Sequence, residues 1–334
     1  MVGLKDVAEY AGVSASTVSR VLAGKSYVNE NTRKKVREAI NALDYRPNAL
    51  AQSLKNGISN TIALMIPSIQ NLMFPDIVRG VEDAARKAGY TVVLCNTDED
   101  IAVEEKYIDT LRTHLIGGFI IASMTPDSKH ILRLRDEGVP LVLTSRSYDT
   151  ETDAVIIDNE QAAFDATCYL LRTGHRRIAL ALGRTKLPIY ADRLEGYKRA
   201  LAQEGIPFDE SLVMRESNGM GSFYALVRKL LRSGPRPDAI FATSDPKAFV
   251  VMRALYDEGL RIPEDISVIG LDNVEMSALV EPPLTTVSQP LYEMGKLAAQ
   301  KLFAQIRYKE EHNCLPAPQI DVLRTELILR KSTR

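Results

Sequence analysis

Cysteine is scarce in this 334-residue chain, and what there is lies scattered. Cys95, Cys168 and Cys314 show no metal-ligand spacing, and the first two sit in apolar stretches where a buried thiol is expected. That excludes a disulfide-stapled scaffold and points to a reducing compartment, the cytoplasm. No apolar run approaches the length of a membrane span. Asp6 and Glu9 interrupt the start of the chain and no apolar segment follows, so no signal peptide is expected. Histidine is equally sparse: His114, His130, His175 and His312 form no ligand constellation, and no metal site is expected. The glycine signatures of catalysis are missing too. There is no G-x-S-x-G elbow, no P-loop and no G-x-G-x-x-G after a strand. The first strand, TIALMIPSIQN, lacks the glycine turn that a dinucleotide needs. Neither catalytic residues nor a cofactor are therefore expected, and an enzyme is the disfavoured class.

What the chain does have is ordinary globular material with an uneven charge. At 45% hydrophobic and 25% charged residues it can build sizeable cores, and its length suits two or three domains. Through Ser59 there are nine basic residues (Lys5, Arg20, Lys25, Arg33, Lys34, Lys35, Arg37, Arg46, Lys55) against five acidic ones (Asp6, Glu9, Glu30, Glu38, Asp44). A small basic module thus precedes an acidic body, a distribution that suits nucleic-acid binding.

Within that module, LKDVAEYAGVSASTVSRVL (4–22) reads as two short helices around a tight turn. Val7, Ala8 and Ala11 form the apolar face of the first helix. Gly12 allows the positive φ of the turn. Ser14 is an N-cap for a second helix that buries Val18, Val21 and Leu22. The other face of that helix carries Ala15, Ser16, Thr17, Ser19 and Arg20, small, hydroxylic or cationic groups that fit against DNA. This is a helix-turn-helix with a recognition helix from about Ala15 to Leu22. Asn29 caps a third helix with Val36, Ile40 and Leu43 inward. The segment PNALAQSLKNG (47–57) could form a short helix that is too short to be stable alone and orders only on docking.

From Thr61 the pattern changes to apolar strands alternating with helices: TIALMIP, TVVLCNTD, GGFIIAS, PLVLTSR, AVIIDN, RIALALGR, AIFATSD and ISVIGLDN, then a last strand VLRTELILR. Strands apolar on both faces imply parallel sheets covered by helices on both sides. Their number implies two doubly wound subdomains with a break near Asp158 and Asn159. Polar residues recur at strand ends (Ser68, Asn96, Ser145, Arg146, Asp158, Ser244, Asp245, Asp272 and Asn273), where open parallel sheets bind ligands. Two such subdomains facing each other would form a cleft lined by these positions.

KDVAEYAGVSASTVSRVL with the YRPNALAQSL hinge resembles the headpiece of the lactose/galactose-repressor (LacI/GalR) family of bacterial transcription regulators. DIVRGVEDAARKAGY, LLRTGHRRIALALG, DRLEGYKRAL, IPEDISVIGLDN and PPLTTVSQP resemble the ligand-binding core of the same family. The resemblance implies an α/β chain: a three-helix headpiece (1–46), a hinge helix (47–59) and a core like periplasmic sugar-binding proteins. The core's first subdomain would comprise 60–158 and 290–316, its second 159–289 and 317–334. It implies a sequence-specific repressor, a homodimer or tetramer on the nucleoid, binding an inverted-repeat operator in double-stranded DNA and not a membrane. Ala15, Ser16 and Arg20 would read bases, and Tyr10, Thr17, Ser19 and Asn29 would contact phosphates. Leu54 would insert into the minor groove and kink the duplex.

For the effector the resemblance points to Phe74, Asp158, Arg193 and Asp272, with Ser68, Arg146 and Ser244 at pocket positions where this chain departs from common patterns. Ser68 stands where many relatives have Asp, and Leu72 and Met73 replace a Pro-Phe pair. Ser244 replaces Asn, and Ser145 stands where Asp commonly precedes Arg146. The expected ligand is a sugar, a sugar acid or a sugar phosphate: Arg146, Arg184, Lys186 and Arg193 could favour an acidic one, but exposed loop Arg and Lys are more often solvated, and Arg193 could instead be a structural partner of Asp272. Two alternatives stand beside this. One is control by a phosphoprotein corepressor through LYEMGKLAAQKL, against which Gln300 stands where an Arg would be wanted. The other is a non-regulatory sugar-binding protein, which would not carry the segment from Leu4 to Leu54.

Overall fold

The structure is a computed structural model that describes residues 2–22, 28–45, 59–113, 116–148, 150–184, 186–217, 219 and 221–334. The chain divides into two compact units at Ser59 and Asn60. The expected hinge helix, with Leu54, lies outside the described residues.

The first unit is built from α1 (Leu4–Ala11), α2 (Ala15–Leu22) and α3 (Glu30–Ala42). Gly12 closes α1 at φ 65°, and its N–H and that of Val13 return to carbonyls of the last turn. The Ser14 hydroxyl accepts the Thr17 N–H at 3.2 Å, and the Asn29 side chain accepts the Asn31 N–H at 2.8 Å, so both expected N-caps are in place. Val7, Ala8, Ala11, Val18, Val36 and Ala39 form a small core, with Ile40 and Leu43 half-buried against it.

The second unit contains two six-stranded sheets. The first takes β1 (Thr61–Ile66), β2 (Thr91–Asn96), β3 (Gly118–Ile121), β4 (Leu141–Thr144), β5 (Asp153–Ile157) and β11 (Ile320–Leu323), in the order β2-β1-β3-β4-β5-β11. The second takes β6 (Ile178–Leu182), β7 (Val213–Arg215), β8 (Ala239–Ala242), β9 (Ser267–Asp272), β10 (Thr285–Ser288) and β12 (Glu326–Ile328), in the order β7-β6-β8-β9-β10-β12. The two orders are the same topology used twice. Each reverses beside its first strand, between β1 and β3 and between β6 and β8, where a doubly wound sheet offers its ligand crevice. Pairing is parallel throughout except for β10 with β12.

Side chains alternate across each sheet. Ile62, Leu64, Ile120 and Val142 join one buried cluster, and Ala63, Met65, Phe119 and Leu143 join another on the opposite face. The second sheet repeats this with Leu180 and Phe241 against Ala179 and Ile240. The cluster containing Ile62 and Leu180 is covered by α4 (Phe74–Ala88) and α11 (Leu291–His312) over the first sheet, and by α7 (Asn159–Arg172) and α8 (Pro188–Gln203) over the second.

One expected boundary is corrected. Residues 317–334 do not all belong to the second subdomain, because β11 pairs in parallel with β5 of the first sheet. VLRTELILR is likewise not one strand. It splits at Arg324 and Thr325 into two edge strands on different sheets. With neither Gly nor Pro at the split, nothing local in the sequence marks it.

Candidate functional site

In the first unit, α2 presents Ser16 and Arg20 to solvent, one helical turn apart and therefore on one face. Tyr10, on α1, is 62% exposed. Ala15, Thr17 and Ser19 are half-buried rather than open. Ala15 packs against the headpiece core, and the Thr17 hydroxyl lies 2.8 Å from that of Ser14, which itself caps the helix. Asn29 is exposed, its carbonyl oxygen occupied by the cap of α3.

In the second unit, the loops at the carboxyl ends of the two sheets meet through charge. Glu99 follows β2 of the first sheet. One of its carboxylate oxygens takes Arg146 Nη2, in the loop after β4, at 2.9 Å, and the other pairs with Arg184, in the loop after β6 of the second sheet. Arg184 Nε also lies 3.8 Å from Glu216, which lies 3.8 Å from Lys247. Lys247, in the first turn of α10 (Asp245–Asp257), donates to the Ser244 hydroxyl and to Tyr190 Oη, both at 3.1 Å. The Tyr190 ring lies against Gly183, where a Cβ would stand 2.2 Å from it, with Lys247 Nζ 4.9 Å and the Arg193 guanidinium 5.6 Å from its centroid. Burial pushes the Tyr190 phenol up, but the charges of Lys247 and Arg193 outweigh it and hold the phenol below its ordinary range.

Arg193 is buried and tied to protein groups. Its Nε donates to Asn159 Oδ1 at 2.9 Å and its Nη1 to the Thr243 carbonyl at 2.5 Å. Asp272 is buried at the end of β9, where Gln289 donates to Oδ1 at 2.7 Å. Burial and the neighbouring negative charge of Asp245 raise the Asp272 carboxyl far above the usual carboxylate range, against the pull of Arg193. Among the described residues, buried polar atoms without a partner around this network include Arg146 Nη1, Tyr148 Oη and Asp272 Oδ2, with Thr144 Oγ1 at the end of β4. Burial pushes the Tyr148 phenol up to about 12. The backbone is unusual here too. Asp98, Glu99, Ser145, Asp272 and Asn273 all have positive φ, and all stand at strand ends. Such conformations cost energy in residues with a Cβ and cluster at ligand sites.

Residues 59–319 match the family of periplasmic binding proteins and sugar-binding domains of LacI regulators. Residues 3–48 match the bacterial regulatory proteins of the lacI family. The chain is 38% identical to the catabolite control protein A of Priestia megaterium, over 90% of this chain and 91% of that protein. It is 35% identical to the ribose operon repressor of Halalkalibacterium halodurans, over 100% and 98%. It belongs to the LacI family. Among solved structures, the lac repressor dimer bound to operator and the anti-inducer ONPF superposes with a TM-score of 0.89 at 29% identity, covering 99% of both chains. A complex of the transcriptional regulator CelR with cellobiose matches with a TM-score of 0.74 at 33% identity, over 99% of this chain and 100% of that one. As a LacI-family member the chain is a DNA-binding transcription regulator with a core of the sugar-binding type.

Of the effector residues expected of a LacI-family core, Arg146, Arg193, Ser244 and Asp272 come together, linked by the network and the charges described above. Three others do not join it by any hydrogen bond or ion pair among the described residues. Ser68 turns its own loop, accepting the Gln70 N–H at 3.3 Å. Phe74 is 1% exposed within the hydrophobic core, an anchor for the start of α4. Asp158 is an exposed N-cap that accepts the Gln161 N–H at 2.8 Å. Lys186 and Gln300 are exposed. Glu99, Tyr148, Asn159, Tyr190, Glu216 and Lys247 are the site groups that the sequence reading passed over. Glu99 stands three residues beyond Asn96, so the strand-end rule extended by one turn would have reached it. Lys247 reads as an ordinary helix residue, and only the fold shows it buried.

Proposed function

We propose that this LacI-family regulator is a repressor that binds an inverted-repeat operator as a homodimer on the nucleoid, and that a small polyhydroxylated effector in the core controls it. The observation that carries the DNA-binding half is the solvent-facing pair Ser16 and Arg20 on a helix fixed by the Gly12 turn and the Ser14 cap. A guanidinium there matches the O6 and N7 edge of guanine. Exposed Tyr10 and Asn29, with Thr17 and Ser19, serve phosphate oxygens, and Leu54 serves as the minor-groove wedge. Half-buried Ala15 offers its methyl to a thymine. Dimerisation is supported by exposed apolar side chains on both core subdomains, Ile69, Leu72 and Leu94 on one and Tyr256, Met276 and Leu279 on the other. The effector half is supported by the unpartnered Arg146, Tyr148 and Asp272 atoms, donor and acceptor groups suited to hydroxyls, and by the cellobiose-bound relative.

The test is a gel shift of the full chain against inverted-repeat promoter fragments. Specific binding should weaken steeply with salt as phosphate contacts are screened. No specific shift on any fragment overturns the operator reading. Thermal-shift screening of the same chain against sugars tests the effector, because a ligand of the folded state raises the melting temperature with its concentration.

A further inference from the structure

The Glu99 carboxylate occupies a position of unusual chemistry. It sits between two guanidiniums from opposite sheets, one oxygen on each, on a backbone held at φ 59°. Two arginines converging on one carboxylate are the geometry with which proteins bind a carboxylate or phosphate ligand. Here the chain supplies that anion itself. Two of the other cationic faces around it are also answered by an acid, since Lys247 and Nε of Arg184 look onto Glu216, while Arg193 is held by the neutral Asn159 and Thr243 groups. Among the described residues, the buried groups left unpartnered here include one guanidinium N–H₂, one phenol and one carboxyl oxygen, at Arg146, Tyr148 and Asp272, beside the Thr144 hydroxyl. Arg146 and Asp272 are 7% and 1% exposed, so these are built positions and not surface accidents. Ligand hydroxyls can pair with the Asp272 oxygen and, separately, accept from the Arg146 guanidinium. A second anion would meet Glu99 and Glu216 already seated against Arg146, Arg184 and Lys247, and would find the Arg193 guanidinium tied to Asn159 and the Thr243 carbonyl.

We infer that Glu99 is a built-in counter-anion that determines the specificity of the core site: it fills the place of a ligand carboxylate or phosphate, so that the site takes uncharged polyhydroxylated molecules and rejects anionic ones. This rests on the reading of the core as the effector site. For Arg146 and Arg184 it decides against the acidic sugar that the sequence left open. The bland alternative is a strap that merely joins the two sheets, in which case removing Glu99 loosens the core without creating affinity for anything.

The experiment is titration of the full chain with inorganic sulfate, glucuronate and glucose at constant ionic strength, by calorimetry and by melting temperature. The wild type should give no saturable response to sulfate or glucuronate. Glu99→Gln, which keeps the side-chain length and removes the charge, should bind both at least about tenfold more tightly than the wild type, the size of one charge-assisted contact. Adding Arg184→Ala should abolish that gain. Saturable glucuronate binding by the wild type overturns the proposal without recourse to any variant. A folded Glu99→Gln protein that gains no anion affinity overturns it as well. The two readings fail separately. If the variant gains anions while no uncharged sugar moves either protein, Glu99 has the stated role and the polyol effector reading falls. If uncharged sugars bind and the variant gains nothing, the effector reading stands and the role of Glu99 falls.

Discussion

Asp272 carries a carboxylate whose two oxygens are treated differently. Oδ1 accepts from Gln289, while Oδ2 is buried without a partner among the described residues. Burial first, and then the charge of Asp245, raise its folded-state pKa above that of the unfolded chain, near about 4. The folded protein therefore holds this proton more tightly than the unfolded one. Stability attributable to the group is fully present below about pH 4 and is lost as pH rises through the raised folded value. Asp272→Asn should raise the melting temperature of the core at pH 8 and change it little at pH 4, with a gain of about 1 kcal/mol or more, since each unit of pKa shift is worth about 1.4 kcal/mol. A melt series across that range checks it, and equal effects at both ends would mean the charge is not the cause. On the headpiece, Arg20→Ala should cost roughly 1–3 kcal/mol of discrimination between operator and random DNA if the guanidinium reads a base. Equal loss on both DNAs would assign it to phosphate. Arg20 and Arg193 could both be picked out in the sequence, the first from its place in the recognition helix and the second from its resemblance. What the sequence did not show was commitment. That Arg193 is spent on Asn159 and Thr243, and Arg146 on Glu99, depends on loops brought together from distant parts of the chain.

Helices and strands were legible where one local signal marks them. The turn at Gly12, the caps at Ser14 and Asn29, and the eight apolar runs all stand where periodicity and capping residues placed them. VMR at β7 and TTVS at β10 are too short or too polar to read as strands, and they exist because a neighbouring strand pairs with them. Helix crossings were not legible at all. A Cβ on Gly295 of α11 would stand 2.1 Å from the Ile77 carbonyl of α4, and one on Gly80 of α4 would stand 2.1 Å from the Tyr292 carbonyl. Each glycine lets the opposite backbone approach, so the pair fixes how α4 and α11 cover the first sheet. Gly295→Ala should destabilise the core by about 1–3 kcal/mol, as overpacking does. Gly234→Ala, with open space at its Cβ, should be neutral or slightly stabilising. Urea denaturation of the two variants checks the contrast, and similar midpoints would show that the helices slide apart at no cost.

A repressor has to make its two ligands sense each other, and the chain keeps the helix-turn-helix in one unit, 1–59, and the sugar-binding-type core in another, 60–334. The repeated sheet topology suits the second task. Each sheet brings loops to its carboxyl ends, and charges on loops of both sheets meet at Glu99 and Arg184, so a ligand bound there must act on both subdomains. The family likeness was legible from motifs, because the recognition helix and the strand ends are contiguous in sequence. The ligand preference was not, because it depends on which cations are already neutralised. Linkage then sets a quantitative demand. If a core ligand changes operator affinity by some factor, operator DNA must change the affinity for that ligand by the same factor, since both measure one coupling free energy. For a regulator that factor is typically about 5–150. Operator affinity should therefore be measured with and without saturating ligand, and ligand affinity with and without saturating operator, at one salt concentration. The two ratios should agree, and random DNA of equal length should leave ligand affinity unchanged. A ligand that binds the core tightly yet gives a ratio of one in both directions would be an occupant of the site and not the signal the regulator responds to.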